Sequence, residues 1–409
     1  MHLSRRSTLA TLPVLFALLA LPRAAAASDL YSVTLNVDGQ TFSRSFGDID
    51  EARSLLNLRG LMTIAPNYTP GASVSGVVDV RGLPVRFSTI PGTAALQLSA
   101  PAAGFNRVFD AGDPVATQNQ VLNFLRGNES KQGLRRLVRG LVATSTSDPI
   151  AGNPASLLGQ SVIADHTIGT LPPGDNGGMS PRRAGWHVTM GVFAQHQDTR
   201  DYDTNTYSIP LGVSYAFGED GPEAFLHVPV MLSATEGNDA YMGTGALGLR
   251  VPVVKEPALR WALTPSLRWG AAGSWDSGTV GQTYGGSLTS DLRVALGDIT
   301  LGLGNSVGYH RTEPLKYGSI EINYNLNNWS FRNGVSLSKP AGEVAGRSLV
   351  VGLSLIDTRL HGDNLAVDAW QEYGVSATIG TQVPLRVSAS YLDGNRGYSG
   401  YRLGMTLAF

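Results

Sequence analysis

TYSIPLGVSYAF, residues 206–217, decides how the second half of this chain is read. Tyr207, Ile209, Leu211, Val213, Tyr215 and Phe217 stand two residues apart, with Ser208, Pro210, Gly212, Ser214 and Ala216 between them. A period of two puts the large apolar side chains on one face of a strand and the small or polar ones on the other.

The pattern recurs on both sides of this stretch. It begins at Trp186, with Val188, Met190, Val192 and Ala194 alternating against His187, Thr189, Gly191, Phe193 and Gln195. It continues over Leu226–Leu232, Gly245–Val253, Leu259–Trp269, Leu288–Leu296, Ile299–Tyr309, Ile320–Leu326 and Trp329–Leu337. Leu349–Leu355, Tyr373–Ile379, Val383–Tyr391 and Tyr401–Phe409 complete it. At Gly297-Asp298 and Asn327-Asn328 the apolar phase flips, as a tight turn between strands requires. The segments follow one another at about 15 to 20 residues, wider than the spacing of soluble sandwiches.

Strands of about ten residues with one apolar face describe a transmembrane antiparallel β-barrel. Lipid cannot satisfy backbone groups, so the sheet must close and its outer face must be apolar. A soluble barrel of this width fails on the other face, because Gly, Ser, Thr and Arg cannot fill its interior. Aromatics at the segment ends, Trp186, Tyr207, Tyr215, Phe217, Trp261, Trp269, Trp329, Tyr391, Tyr401 and Phe409, fit interfacial girdles. The segments number thirteen, and bacterial single-chain barrels have even strand counts. The expectation is twelve strands, with fourteen as the alternative, since Thr381-Gln382 joins two segments without a flip and His361–Asp368 is ambiguous.

Upstream, the chain divides into three parts. Arg5 and Arg6, the apolar run Leu9–Leu21 and Ala25-Ala26-Ala27 read as a signal peptide over residues 1–27. Residues 28–150 read as a small α+β domain. Its hairpins turn at Asp38-Gly39, at Arg81-Gly82 and around Pro101–Gly104. One helix starts near Asp48, a second at Asp113-Pro114, and a basic third carries Leu134, Leu137, Val138, Leu141 and Val142. Residues 151–184, rich in Gly, Pro, Ser and Asn, read as a linker around one short helix near Ala155–Ala164. Residues 185–409 are the barrel. A net charge of −1 gives no reason to expect a nucleic-acid partner, and the absence of cysteine excludes disulfides, thiolate metal sites and a cysteine nucleophile.

The final residues resemble the C-terminal β-signal of Gram-negative outer-membrane barrels, in Arg402, Gly404, Leu407 and the terminal Phe409. The resemblance implies an outer-membrane location after export, contact with outer-membrane lipid, and engagement of the last strand by the barrel-assembly machinery. The order of signal peptide, module, linker and barrel also resembles the autotransporter layout. The module departs from that family in being short and lacking a repetitive β-helix.

Sorting charges by face bears on function. Arg250, Arg260, Arg268, Arg293, Arg332, Arg386 and Arg402 fall on the polar face of their strands, against Asp291, Glu321 and Glu372. Such a lumen favours anions or holds an acidic or carbonyl-rich plug; equally, the arginines could pair across strands and stiffen the wall. The expected function is a pore or translocator, plugged or threaded by the N-terminal segment. The alternatives are a structural or adhesive protein whose residues 28–150 bind a periplasmic or surface partner, and an outer-membrane hydrolase. HQDTRDYD at 196–203 offers His196 with Asp198, Asp201 and Asp203, but no serine is assignable to it. No catalytic residue, cofactor or metal site is therefore expected.

Overall fold

The computed structural model describes residues 30–54, 58–69, 71–125, 130–171, 179, 182–199, 202–236, 238–317, 320–380 and 383–409. The signal-peptide expectation lies outside them.

The first hairpin pairs β1 (Tyr31–Val37) with β2 (Gln40–Phe46) through Asp38 and Gly39, both at positive φ, the geometry that a two-residue hairpin turn demands. Short helices α1 (Ile49–Ser54) and α2 (Leu58–Ile64) follow. Then come β3 (Val74–Val80), β4 (Leu83–Thr89), β5 (Leu96–Ala100) and β6 (Phe105–Phe109). The six strands form one antiparallel sheet in the order β2-β1-β3-β4-β5-β6. Helix α3 (Pro114–Leu125) is capped by Asp113, whose Oδ1 accepts from the amides of Val115 and Ala116 at 2.9 Å each. Helix α4 (Lys131–Thr144) is capped by Ser130. Phe105, Phe109, Phe124, Leu137 and Leu141 bury together and fasten these helices to the sheet.

Helix α5 (Leu157–Thr170) precedes the barrel and is longer than the segment 155–164 expected from sequence. Its first strands are β7 (Gly185–Asp198), β8 (Asp203–Ala216), β9 (Glu223–Thr235), β10 (Asn238–Lys255), β11 (Leu259–Ser274), β12 (Thr279–Leu296) and β13 (Ile299–Glu313). A small hairpin, β14 (Leu315–Tyr317) with β15 (Ile320–Ile322), stands apart. The wall resumes with β16 (Asn327–Val344), β17 (Arg347–Gly362), β18 (Ala369–Ile379), β19 (Leu385–Gly394) and β20 (Ser399–Ala408). The barrel closes with twelve strands, each antiparallel to its neighbours.

Twelve is the expected number, reached by a different route. The segment Ile320–Leu326 is not a wall strand, and Asn327-Asn328 is the start of β16 rather than a turn. Tyr324 and Leu326 alternate because both are buried in the barrel mouth. Glu321 consequently leaves the list of lumen residues: it sits on β15 opposite Lys316, outside the wall.

The outer wall carries the apolar set. Trp186, Leu211, Val230, Leu247, Leu267, Leu353, Val375 and Leu403 are all exposed. A continuous apolar surface of this extent matches lipid, not water. Trp261 and Trp269, Tyr207 and Tyr215, and Tyr401 and Phe409 each stand eight residues apart on the outer face. At about 3.4 Å per residue and a tilt near 40° that separates two aromatic levels by about 20 Å, close to the apolar band of an outer-membrane barrel.

The seam joins β20 to β7, from Ser399 opposite Asp198 to Ala408 opposite Thr189. Phe409 is tied in as well: its amide donates to Val188 O at 2.9 Å, and its carbonyl accepts from Val188 N at 3.1 Å. Gly404 is required here, because a Cβ would collide with the ring of Phe193, which covers it from inside. Gly404→Val should therefore reduce folded barrel severalfold, read as the heat-modifiable band on a gel. Adding Phe193→Ala should restore it; equal yield for the single variant would sink this account.

Candidate functional site

The lumen holds a helix. Helix α5, LLGQSVIADHTIGT, is buried over most of its surface: Leu157, Leu158, Val162, Ile163 and Ile168 are buried, and so are Ser161, Asp165 and His166, while Gln160, Ala164, Thr167 and Thr170 form one half-buried face. A helix buried over so much of its surface needs a wall around it. Here the wall is the barrel, against which α5 packs on β10, β11, β12, β13 and β16.

Each end of the helix is placed by its neighbours. At the N-terminus, Ser156 Oγ accepts from Gly159 N at 3.2 Å, and Leu157 lies near Gly270 and within the mouth cluster. At the C-terminus the last carbonyls carry partial negative charge. Arg250 Nη1 donates to Gly169 O at 2.5 Å and Arg293 Nη2 to Thr170 O at 2.6 Å. Asp291 holds both arginines, at 2.8 Å from Arg250 and 3.2 Å from Arg293. Midway, Asp165 Oδ1 accepts from Arg268 Nε at 2.7 Å, and Arg268 Nη1 donates to Thr244 Oγ1 at 2.8 Å. His166 Nε2 lies 3.2 Å from Gly304 O.

A second charge group stiffens the opposite wall. Glu372 accepts from Arg332 at 2.9 Å, from Arg402 at 3.1 Å and from Trp370 Nε1 at 3.1 Å. Arg402 also donates to Gln195 Oε1 across the seam, at 3.0 and 2.7 Å. Arg332 reaches Thr358 at 2.6 Å. Arg260 belongs to the rim instead, where it grips Asp220 at 2.7 and 3.0 Å beside the Arg182–Glu223 pair. Arg386 lines a cavity of about 110 Å³ between His166, Arg293, Ser354 and Thr378, on the side of α5 away from β11. Of the ten charges singled out from sequence, the structure thus gathers Arg250, Arg293 and Asp291 at the helix end, Arg332, Arg402 and Glu372 on the far wall, and Arg268 at the centre.

The N-terminal module covers the end of the barrel opposite Phe409. Ile49 N donates to Asp276 O at 2.8 Å, Tyr31 Oη to Ser277 O at 3.2 Å, and Ala366 N to Val142 O at 2.9 Å. Arg139 of the basic helix reaches Asn325 O at 2.6 Å and Asp363 at 3.0 Å, so its charge serves docking. Arg81, at the tip of the β3–β4 hairpin, inserts into the mouth, donating to Thr279 Oγ1 at 3.1 Å with Asp148 3.4 Å away. Tyr324 Oη donates to the same carboxylate at 3.0 Å. Burial, and then Asp148 beside it, push Tyr324 well above the ordinary tyrosine range, so it remains a donor. Val142, Ile150, Leu157 and Leu158 close the mouth against Met231, Leu360, Trp370 and Leu392.

The acidic stretch at 196–203 forms no such assembly. His196 faces outward and bonds Asn205 at 3.0 Å, and Asp198 stands opposite Asp203. Asp201 lies outside the described residues, among which no three His, Asp or Glu side chains converge as metal ligands would. What sequence reasoning missed is Asp165 and the carbonyls of Gly169 and Thr170, the partners for which three of the arginines exist.

No family model matches the sequence, and no curated protein is significantly similar to it. Among solved structures it is similar to the β domain of the Bordetella autotransporter BrkA, at 13% identity and TM-score 0.44, covering 55% of this chain and 99% of that one. It is similar also to the translocator domain of the autotransporter NalP from Neisseria meningitidis (12%, 0.41, 62% and 94%). A third is an outer-membrane channel from Pseudomonas putida F1 (12%, 0.38, 57% and 98%). In architecture the chain resembles these outer-membrane barrels, those of autotransporters included.

Proposed function

We propose that this chain is an outer-membrane display protein that carries its own cargo: a translocator-type barrel that holds its N-terminal module at the cell surface on a helix left in the lumen. The observation that carries this reading is the path of α5. The chain descends from the module at the mouth to the end where β7 begins and Phe409 lies. If the aromatic C-terminus marks the periplasmic side, as its resemblance to a β-signal implies, the module faces outward. The lumenal arginines then act as a clamp on the helix rather than as a selectivity ring. The module's ligand is left to its own surface chemistry, and no reaction is assigned to it.

Two measurements test this on the full chain. The chain has no cysteine, and Thr170 Cβ lies 3.5 Å from where a Cβ on Gly304 would stand, inside the disulfide range of about 3.5–4.5 Å. Thr170→Cys with Gly304→Cys should form an internal disulfide in cells and run faster on a non-reducing gel. An absent cross-link would take the helix out of the lumen. An epitope placed at the exposed turn Pro91–Thr93 should stain intact cells; staining only after permeabilisation would overturn the surface reading.

A further inference from the structure

Between the two aromatic levels the outer wall is apolar, with one interruption among the described residues. Ser290 on β12, Asn305 on β13 and Asn333 on β16 point outward on three adjacent strands, in direct register. Asn305 lies between the outward Leu303 and Val307, and Asn333 between the outward Phe331 and Val335. Both sit nearer the centre of the band than Tyr309 and Trp329. Ser290 already accepts from Trp261 Nε1 at 2.9 Å. The same row continues to Asp357, which Arg359 and Gln371 satisfy toward the mouth. The amides of Asn305 and Asn333 are exposed and find no hydrogen-bond partner among the described residues.

Lipid tails offer nothing to an amide, so polar side chains on this face are costly in proportion to depth. Yet the two lie side by side, each with a donor and an acceptor. Such a pair is self-complementary: across a two-fold axis the same pair on a second copy satisfies it. The surroundings fit a protein better than a single lipid chain. An apolar groove runs over Gly286 and Gly308 next to the pair, between Leu267 on one side and Tyr309 and Trp329 on the other. Leu267, at 72% exposure, stands out as a ridge able to enter the twin groove.

We propose that two copies of this chain pair within the membrane through the β12–β13–β16 face, with Asn305 and Asn333 as the polar key. The proposal rests on the outer wall being embedded in lipid, as the display reading requires. Single cysteines test it in the full-length, otherwise cysteine-free chain. Val307→Cys flanks the pair, and Met190→Cys lies on β7, six strands away around the barrel. In oxidised membranes Val307→Cys should give covalent dimer at about tenfold the level of Met190→Cys or more. Adding Asn305→Leu and Asn333→Leu should drop it to the control level while the heat-modifiable barrel band persists. Equal cross-linking at both positions would overturn the pairing and leave lipid as the occupant of the groove; a Val307→Cys dimer indifferent to the leucines would overturn Asn305 and Asn333 as its key. A chain missing from washed membranes would overturn the embedding itself; a chain present there as monomer overturns the pairing alone.

Discussion

A barrel lacking residues 30–171 should conduct ions in a planar bilayer at about ten times the level of the intact chain or more, and should prefer anions. In the intact chain α5 occupies the lumen and the mouth is closed by Val142, Ile150, Leu157 and Leu158. Removing them leaves the wall able to stand. Arg250 and Arg293 keep Asp291, and Arg332 and Arg402 keep Glu372. Arg268 loses Asp165 but is then open to water, which solvates its charge. The exposed lumen then carries Arg250, Arg268, Arg293, Arg332, Arg386 and Arg402 against Asp291 and Glu372, six cations to two anions. In a potassium chloride gradient the reversal potential should therefore take the sign of chloride permeation. A truncated barrel as silent as the intact one would mean that the helix is not what closes it. A cation-selective pore would mean that the arginines do not set its field.

The barrel was legible in the sequence because lipid enforces a rule along every wall strand, and alternation records it residue by residue. The one false strand, Ile320–Leu326, obeyed a different cause. Tyr324 and Leu326 are buried by the module, which produces the same spacing over a short stretch. The plug was harder to read. LLGQSVIADHTIGT spreads its apolar residues around the helix without a clean amphipathic stripe, the mark of a surrounded helix, but its flanks of Gly and Pro resemble a linker. The excess of arginine was visible, whereas two of its main partners are backbone carbonyls, at Gly169 and Thr170, which no side-chain pattern announces. Asp165 and Arg268 lie 103 residues apart, and nothing in either segment names the other. Asn305 and Asn333 sat on the apolar face of their segments, where two exceptions hide among many aliphatics.

Asp165→Ala should destabilise the intact chain by about 3–5 kcal/mol, the cost of leaving one member of a buried ion pair alone. Asp165 and Arg268 are 3% and 1% exposed, so neither charge has water to turn to. Among the described residues, Thr244 is the other group that holds the Arg268 guanidinium, and a hydroxyl cannot neutralise it. The helix end should stay clamped, since Arg250 and Arg293 grip Gly169 and Thr170 independently of Asp165. The lesion is therefore in the middle of the plug. Chemical unfolding should show the loss, while the Thr170→Cys/Gly304→Cys cross-link still forms. Replacing both partners, with Asp165→Leu and Arg268→Met, removes the orphaned charge and should recover most of the stability, because a buried pair is often no better than apolar packing of similar volume. That asymmetry separates a clamp from a mere contact. If the single variant lost less than about 1 kcal/mol, the pair would be behaving as a solvated one, and the lumen would have to be wet around α5 instead of sealed by it.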